Sequence, residues 1–169
     1  MSDRRAETVA DKHEIETLQR LYAKATDKLG KTSPEIRAEG REIYHRIFTP
    51  DAKVRTANTG ADLVADGPDG WAAVAENALK DYIGTQHLIG TQLAEVNGDE
   101  GALESYLNAW HKNPDNSVYY FLGAYLSKVR RTENGWQIYD MTLRLDTSGI
   151  VQTRASHTTT SDSTAGTAA

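Results

Sequence analysis

The sequence predicts an α+β domain in which three helices cover one face of a curved antiparallel sheet. Three observations carry this. Apolar residues recur at steps of three and four as far as Tyr82, the period changes to two from Thr85 onward, and turn signals cut the second half into four consecutive strands.

The first helix is predicted from near Lys12, with Ile15, Leu18, Tyr22, Ala25 and Leu29 on one stripe. GKTSP interrupts it, and Ser33-Pro34 supplies a cap and a first-turn proline for a second helix carrying Ile36, Ile43, Tyr44, Ile47 and Phe48 on one side. That helix has to stop before Pro50. DAKVRTANTG reads as a short strand running into a turn. Pro68 then opens a third helix, whose buried stripe is Trp71, Val74, Ala78, Leu79 and Tyr82. TQHLIGTQLAEV and ALESYLNAWH form a hairpin about the turn NGDEG. VYYFLGAYLSKVRR is a long strand, and the Asn-Gly of TENG leads into WQIYDMTLRLD, which closes the sheet. Residues 1–147 are expected to form one domain. Residues 148–169, rich in Ser, Thr, Ala and Gly without apolar period, are expected to be a flexible tail, because they bury too little surface to offset the entropy of ordering.

A chain of 169 residues is long enough for one hydrophobic core and short for two. Its formal net charge of −5, with no Lys/Arg run longer than Arg130-Arg131, gives no footprint for nucleic acid. There is no cysteine, which removes disulfides, thiolate nucleophiles and Cys-based metal sites. Neither GxGxxG nor GxxxxGK[ST] is present, and HExxH is absent, so neither a nucleotide cofactor nor a metal is expected. MSDRRAETVADKHEIE lacks the apolar segment of a signal peptide, and no run approaches the roughly 20 apolar residues of a membrane span. The expectation is a cytoplasmic protein without a membrane partner.

Two of the histidines fall on adjacent strands. His87 and His111 flank one short turn at comparable distances, so antiparallel pairing can bring both to one sheet face, where two imidazoles would make an acid/base pair. Spacing alone leaves a structural role as the commoner reading of both. Helical His13 and His45 read as surface or boundary residues. A carboxylate is needed to orient a basic imidazole, and Asp27 is a candidate. Continued as an ideal helix, however, the first helix turns Asp27 away from Ile15, Leu18 and Tyr22. Among the aromatics, Tyr22, Tyr119, Tyr125 and Trp110 are candidate contacts for a small hydrophobic ligand, and the strand pleat can turn Tyr119 and Tyr125 to one face.

From about Glu14 to Asp146 the order of elements resembles the SnoaL-like branch of the nuclear-transport-factor-2-like superfamily. TQHLIG, followed by a strand ending in His111, is similar to scytalone dehydratase. KATDKLGK, GPDGWAAVAENAL and the TQH strand are similar to hexachlorocyclohexane dehydrochlorinase. The resemblance implies a cone-shaped, barrel-like sheet closed by the helices around a pocket. It further implies an Asp27–His87 dyad with His111 as second imidazole, and assembly as a dimer or trimer. The activity implied is that of a cofactor-independent lyase, eliminating water, halide or an aldehyde from a small hydrophobic, aromatic compound. An isomerase or polyketide-type cyclase, or a noncatalytic ligand-binding or assembly subunit, are the alternatives on the same scaffold. Thr26 stands where the dehydratase has Tyr, so scytalone itself is not the expected substrate.

Overall fold

The computed structural model describes residues 2–61 and 63–153. Helix α1 (Ser2–Leu29) buries the predicted stripe of Ile15, Leu18, Tyr22, Ala25 and Leu29 against the sheet. It starts well before Lys12. Asp11 accepts hydrogen bonds from Arg131 and from the Trp136 indole, contacts with the far end of the chain that no local pattern encodes. Helix α2 (Pro34–Ile47) opens as expected, with the Ser33 hydroxyl accepting from the Ile36 N–H and Pro34 in the first turn. It buries Gly40, Tyr44 and Ile47, while Ile36 stays largely in solvent.

Strand β1 (Phe48–Ala57) follows α2 without a loop and therefore contains Pro50. Pro50 lies where the pairing of β1 shifts register, so its missing N–H removes no ladder bond. The three-residue β2 (Val64–Asp66) was not predicted. It precedes α3 (Gly67–Leu79), whose first residue has φ +69°. A Cβ on Gly67 would stand 2.9 Å from the Pro50 carbonyl oxygen, so the turn into α3 admits only glycine.

Four long strands follow: β3 (Gly84–Asn97), β4 (Glu100–Lys112), β5 (Val118–Thr132) and β6 (Gly135–Val151). They pair as consecutive antiparallel neighbours, in the order β2-β1-β6-β5-β4-β3. The expected class, helices covering a curved sheet, is the one the structure has. The sheet itself differs in two ways: it is open rather than barrel-like, and it is mixed, because β1 runs parallel to β6. Hairpins are local and legible from turn residues, whereas this parallel pair joins residues about ninety positions apart, as in Phe48 with Ile138.

The boundary of the expected tail also moves. Thr147 to Val151 belong to β6 and pair with Leu122 to Val118 of β5, so the strand runs four residues past the predicted domain end. Ladder bonds need only backbone groups, and an apolar pattern is not required at a strand end. Residues 154–169, the remainder of that predicted tail, lie outside the described residues.

An aromatic cluster anchors the helices on the sheet. Tyr22 stacks on Tyr44 at 5.4 Å between ring centroids and meets Tyr125 edge-on at 5.0 Å, with Phe48 edge-on to both Tyr22 and Tyr44. The opposite face of the sheet leaves Leu88, Leu93, Tyr106, Trp110 and Leu126 in solvent.

Candidate active site

The β3–β4 register puts Thr85 opposite His111 and His87 opposite Ala109. The two histidines are thus diagonal neighbours on one face, with ring centroids 5.4 Å apart. Both line a cavity of about 260 Å³ enclosed between the helices and the concave side of the sheet. The walls are mainly apolar: Leu79, Leu107, Phe121 and Leu143 alternate with Tyr22, Tyr82, Tyr119 and Tyr125. Thr56, Thr59 and Leu63, from the end of β1 and the segment after it, complete the lining.

Asp27 reaches His87 although α1 continues past it to Leu29. Its Oδ1 lies 2.8 Å from His87 Nδ1, and Oδ2 accepts from the His87 backbone N–H at 3.4 Å. The reason is a second stripe on the helix. Glu16, Arg20 and Asp27 all face β3: Arg20 Nε donates to Gln92, Gln92 donates to the Glu16 carbonyl, and Asp27 takes His87. The apolar stripe faces the centre of the sheet, and this polar flank faces its β3 edge. A carboxylate only accepts, so His87 carries a proton on Nδ1, and in the neutral ring the lone pair is on Nε2. The His87 side chain is 8 % exposed and that of Asp27 21 %. The pair is sheltered yet within reach of solvent protons.

His111 is buried, and two tyrosines and a threonine meet its ring. Tyr82 stacks on it at 4.9 Å and Tyr119 at 6.0 Å, while Thr85 Oγ1 lies 2.9 Å from Nδ1. Burial, reinforced by the neighbouring His87, lowers the His111 pKa from 6.5 to about 4, with Asp27 acting weakly the other way. The ring is therefore neutral at pH 7 and serves there as a hydrogen-bond donor or acceptor.

Beside the imidazoles lies a hydroxyl network. The Trp71 indole donates to Tyr22 Oη at 2.9 Å, and Thr26 Oγ1 donates to the Tyr22 carbonyl at 2.9 Å. With its one proton so used, Thr26 accepts from the Tyr44 hydroxyl at 2.7 Å. Burial raises the pKa of Tyr22, Tyr44 and Tyr125, which stay protonated. Spacing did not single out Thr26, Thr85 or Tyr44 for the site, since none stands out until the fold closes around it.

Of the candidate ligand contacts, Tyr22, Tyr119 and Tyr125 line the cavity. Trp110 does not. Side chains alternate along β4, so with His111 inward Trp110 points outward, 37 % exposed and 5.9 Å from the Tyr120 ring. Exposed His13 and His45 stand apart, the latter 3.0 Å from Asp69 on the surface. Among the described residues no three His, Asp or Glu side chains gather to hold a metal ion, and no helix is long and apolar enough to cross a membrane.

Fold and site together define a helix-covered α+β pocket with His87 and His111 in its wall and Asp27 hydrogen-bonded to His87. The chain belongs to the SnoaL-like domain family, which it matches over residues 7–142. Among solved structures, it is similar to the Kfla4162 protein from Kribbella flavida, at TM-score 0.70 and 18% identity over 83% of this chain and 93% of that one. It is also similar to the hexachlorocyclohexane dehydrochlorinase LinA-type3 from Novosphingobium barchaimii LL02, at TM-score 0.70 and 16% identity over 92% and 99% of the respective chains. A third is a Novosphingobium aromaticivorans protein with a provisional scytalone dehydratase assignment, at TM-score 0.67 and 20% identity over 92% and 95%. No curated protein matches the chain in sequence.

Proposed function

We propose that this protein is a cofactor-independent lyase acting on a small hydrophobic, aromatic compound. The observation that supports this best is His87 in the wall of an apolar cavity with the Asp27 carboxylate 2.8 Å from its Nδ1. His87 Nε2 takes the proton, and the Asp27 carboxylate steadies the imidazolium that results. Neutral His111, or a hydroxyl of Tyr22, Tyr119 or Tyr125, hydrogen-bonds the group on which negative charge develops; the proton held by His87 is then given to departing hydroxide, which leaves as water, to the medium when halide leaves, or to the carbon left behind when an aldehyde departs. Positioned groups of this kind contribute about 10² to 10⁴ in rate each. A cavity of about 260 Å³ suits a compound of one or two rings.

The test is a mass-spectrometric screen of aromatic alcohols, halides and hydroxy ketones with purified protein and no added cofactor. A product lighter by water, hydrogen halide or formaldehyde, lost with His87→Ala, supports the reading. Turnover to an isomer of equal mass would replace it with proton transfer without departure. Binding that survives both His87→Ala and Asp27→Asn, with no turnover of any compound, would make the domain a carrier. We also propose that copies of the chain assemble into a dimer or trimer through the open sheet face around Leu88, Tyr106 and Trp110, which light scattering would read directly.

A further inference from the structure

We propose that Thr85, held by Gly30, is a positioning residue that fixes His111 as its Nε2–H tautomer, so that this ring offers the cavity a donor. The contacts run from the end of α1. A Cβ on Gly30 would stand 2.6 Å from the Thr85 methyl and 3.4 Å from Leu79, so the glycine leaves a hollow that the methyl fills. With the methyl seated there and the backbone fixed in β3, rotation about the Thr85 Cα–Cβ bond is closed to the other staggered positions. The hydroxyl is thereby aimed at His111 Nδ1, 2.9 Å away.

The proton count then settles the direction. Among the described residues Thr85 Oγ1 meets no other hydrogen-bond partner than His111 Nδ1. A hydroxyl donates whenever an acceptor is in reach, and a neutral imidazole offers one nitrogen as acceptor and one as donor. Thr85 donating to Nδ1 leaves the proton on Nε2. Stacking of Tyr82 and Tyr119 on the ring fixes its plane, so the Nε2–H direction is fixed too. One helical turn thus orients two rings in opposite senses. Asp27 accepts from His87 and makes its Nε2 a base, while Gly30 and Thr85 make the Nε2 of His111 a donor. That this donor serves catalysis rests on the lyase reading above; the seating and the tautomer do not.

The experiment needs no substrate. Long-range ¹H–¹⁵N spectra of uniformly labelled protein at pH 7 report the tautomer of each ring, with His111 assigned by its loss in His111→Gln. The unmodified protein is expected to show Nε2 protonated and Nδ1 hydrogen-bonded. Thr85→Val keeps the methyl in the hollow and removes only the hydroxyl, and should release a bias of about tenfold, the worth of one ordinary hydrogen bond, giving mixed tautomers. Thr85→Ser restores the hydroxyl and should recover part of the bias. Gly30→Ala should mimic Thr85→Val although it touches neither ring. The His87 signals should stay in place in Thr85→Val and Thr85→Ser. Nδ1 protonated in the unmodified protein, or a His111 spectrum unchanged by Thr85→Val, would overturn the proposal, whether or not the protein proves to be a lyase. Once a substrate is known, the same variants should lower kcat with little change in KM.

Discussion

Lowering the pH from 7 to 5 should weaken the fold through His111 in particular. The ring keeps its neutral form down to a pKa of about 4 in the folded chain, against 6.5 when exposed. Between those values the unfolded chain binds a proton that the native chain refuses, so stability falls as the pH drops through this window and is fully present above it. The gap is about two and a half pH units, and each is worth about 1.4 kcal/mol, or about 3 kcal/mol in all. By pH 5 about 2 kcal/mol of this has been lost. His111 is 6 % exposed, so solvent screening does little to reduce the figure. Urea unfolding of a domain this size has a slope of about 2 kcal/mol per molar, which turns the loss into a midpoint shift of about 1 M. Carboxylates titrate over the same range, and the measurement is therefore a difference of differences. The unmodified protein should lose about 1 M more in midpoint between pH 7 and pH 5 than His111→Gln does. Equal losses in the two proteins would show that the ring accepts its proton freely in the fold and would refute the reasoning.

Asp27→Asn and His87→Ala should each cut turnover of any substrate found by about 10² to 10⁴, with circular dichroism and cooperative unfolding retained, because neither residue belongs to the apolar core cluster. Trp71→Phe removes the indole that donates to the buried Tyr22 hydroxyl. It should cost about 1 to 3 kcal/mol in urea unfolding, and Trp71→Phe combined with Tyr22→Phe should cost less than the sum of the two single changes. Gly67→Ala meets both the left-handed backbone and the Pro50 carbonyl, and should destabilise by at least about 1 kcal/mol, read as a lower thermal midpoint.

Much of the site was legible before the fold. Strand alternation and the short turn between His87 and His111 made a shared face possible, but the shift in register between Gly90 and Gln92 is what secures it: in the register of the turn His87 would stand opposite Trp110 and His111 would point to the other face. The resemblance to SnoaL-like proteins supplied Asp27, against a helical-wheel argument that pointed elsewhere. That argument treated α1 as having a single buried side. In the structure its Glu16–Arg20–Asp27 flank meets Gln92 and His87 at the edge of the sheet, and a polar stripe becomes visible as an interface only when its polar partners are known. Trp110 failed for a simpler reason: it cannot share a face with His111, its neighbour in the strand.

By itself, then, the chain determined the quantities that depend on near neighbours: helical stripes, the capped start of α2 and the hairpins. Tertiary structure alone decided what depends on contacts distant in sequence. These are the parallel pairing of β1 with β6, the reach of Asp27 to His87 across sixty residues, and the burial that keeps His111 uncharged. Local sequence sets dihedral preference and periodicity, but desolvation and hydrogen-bond geometry exist only once separate segments have excluded the water between them.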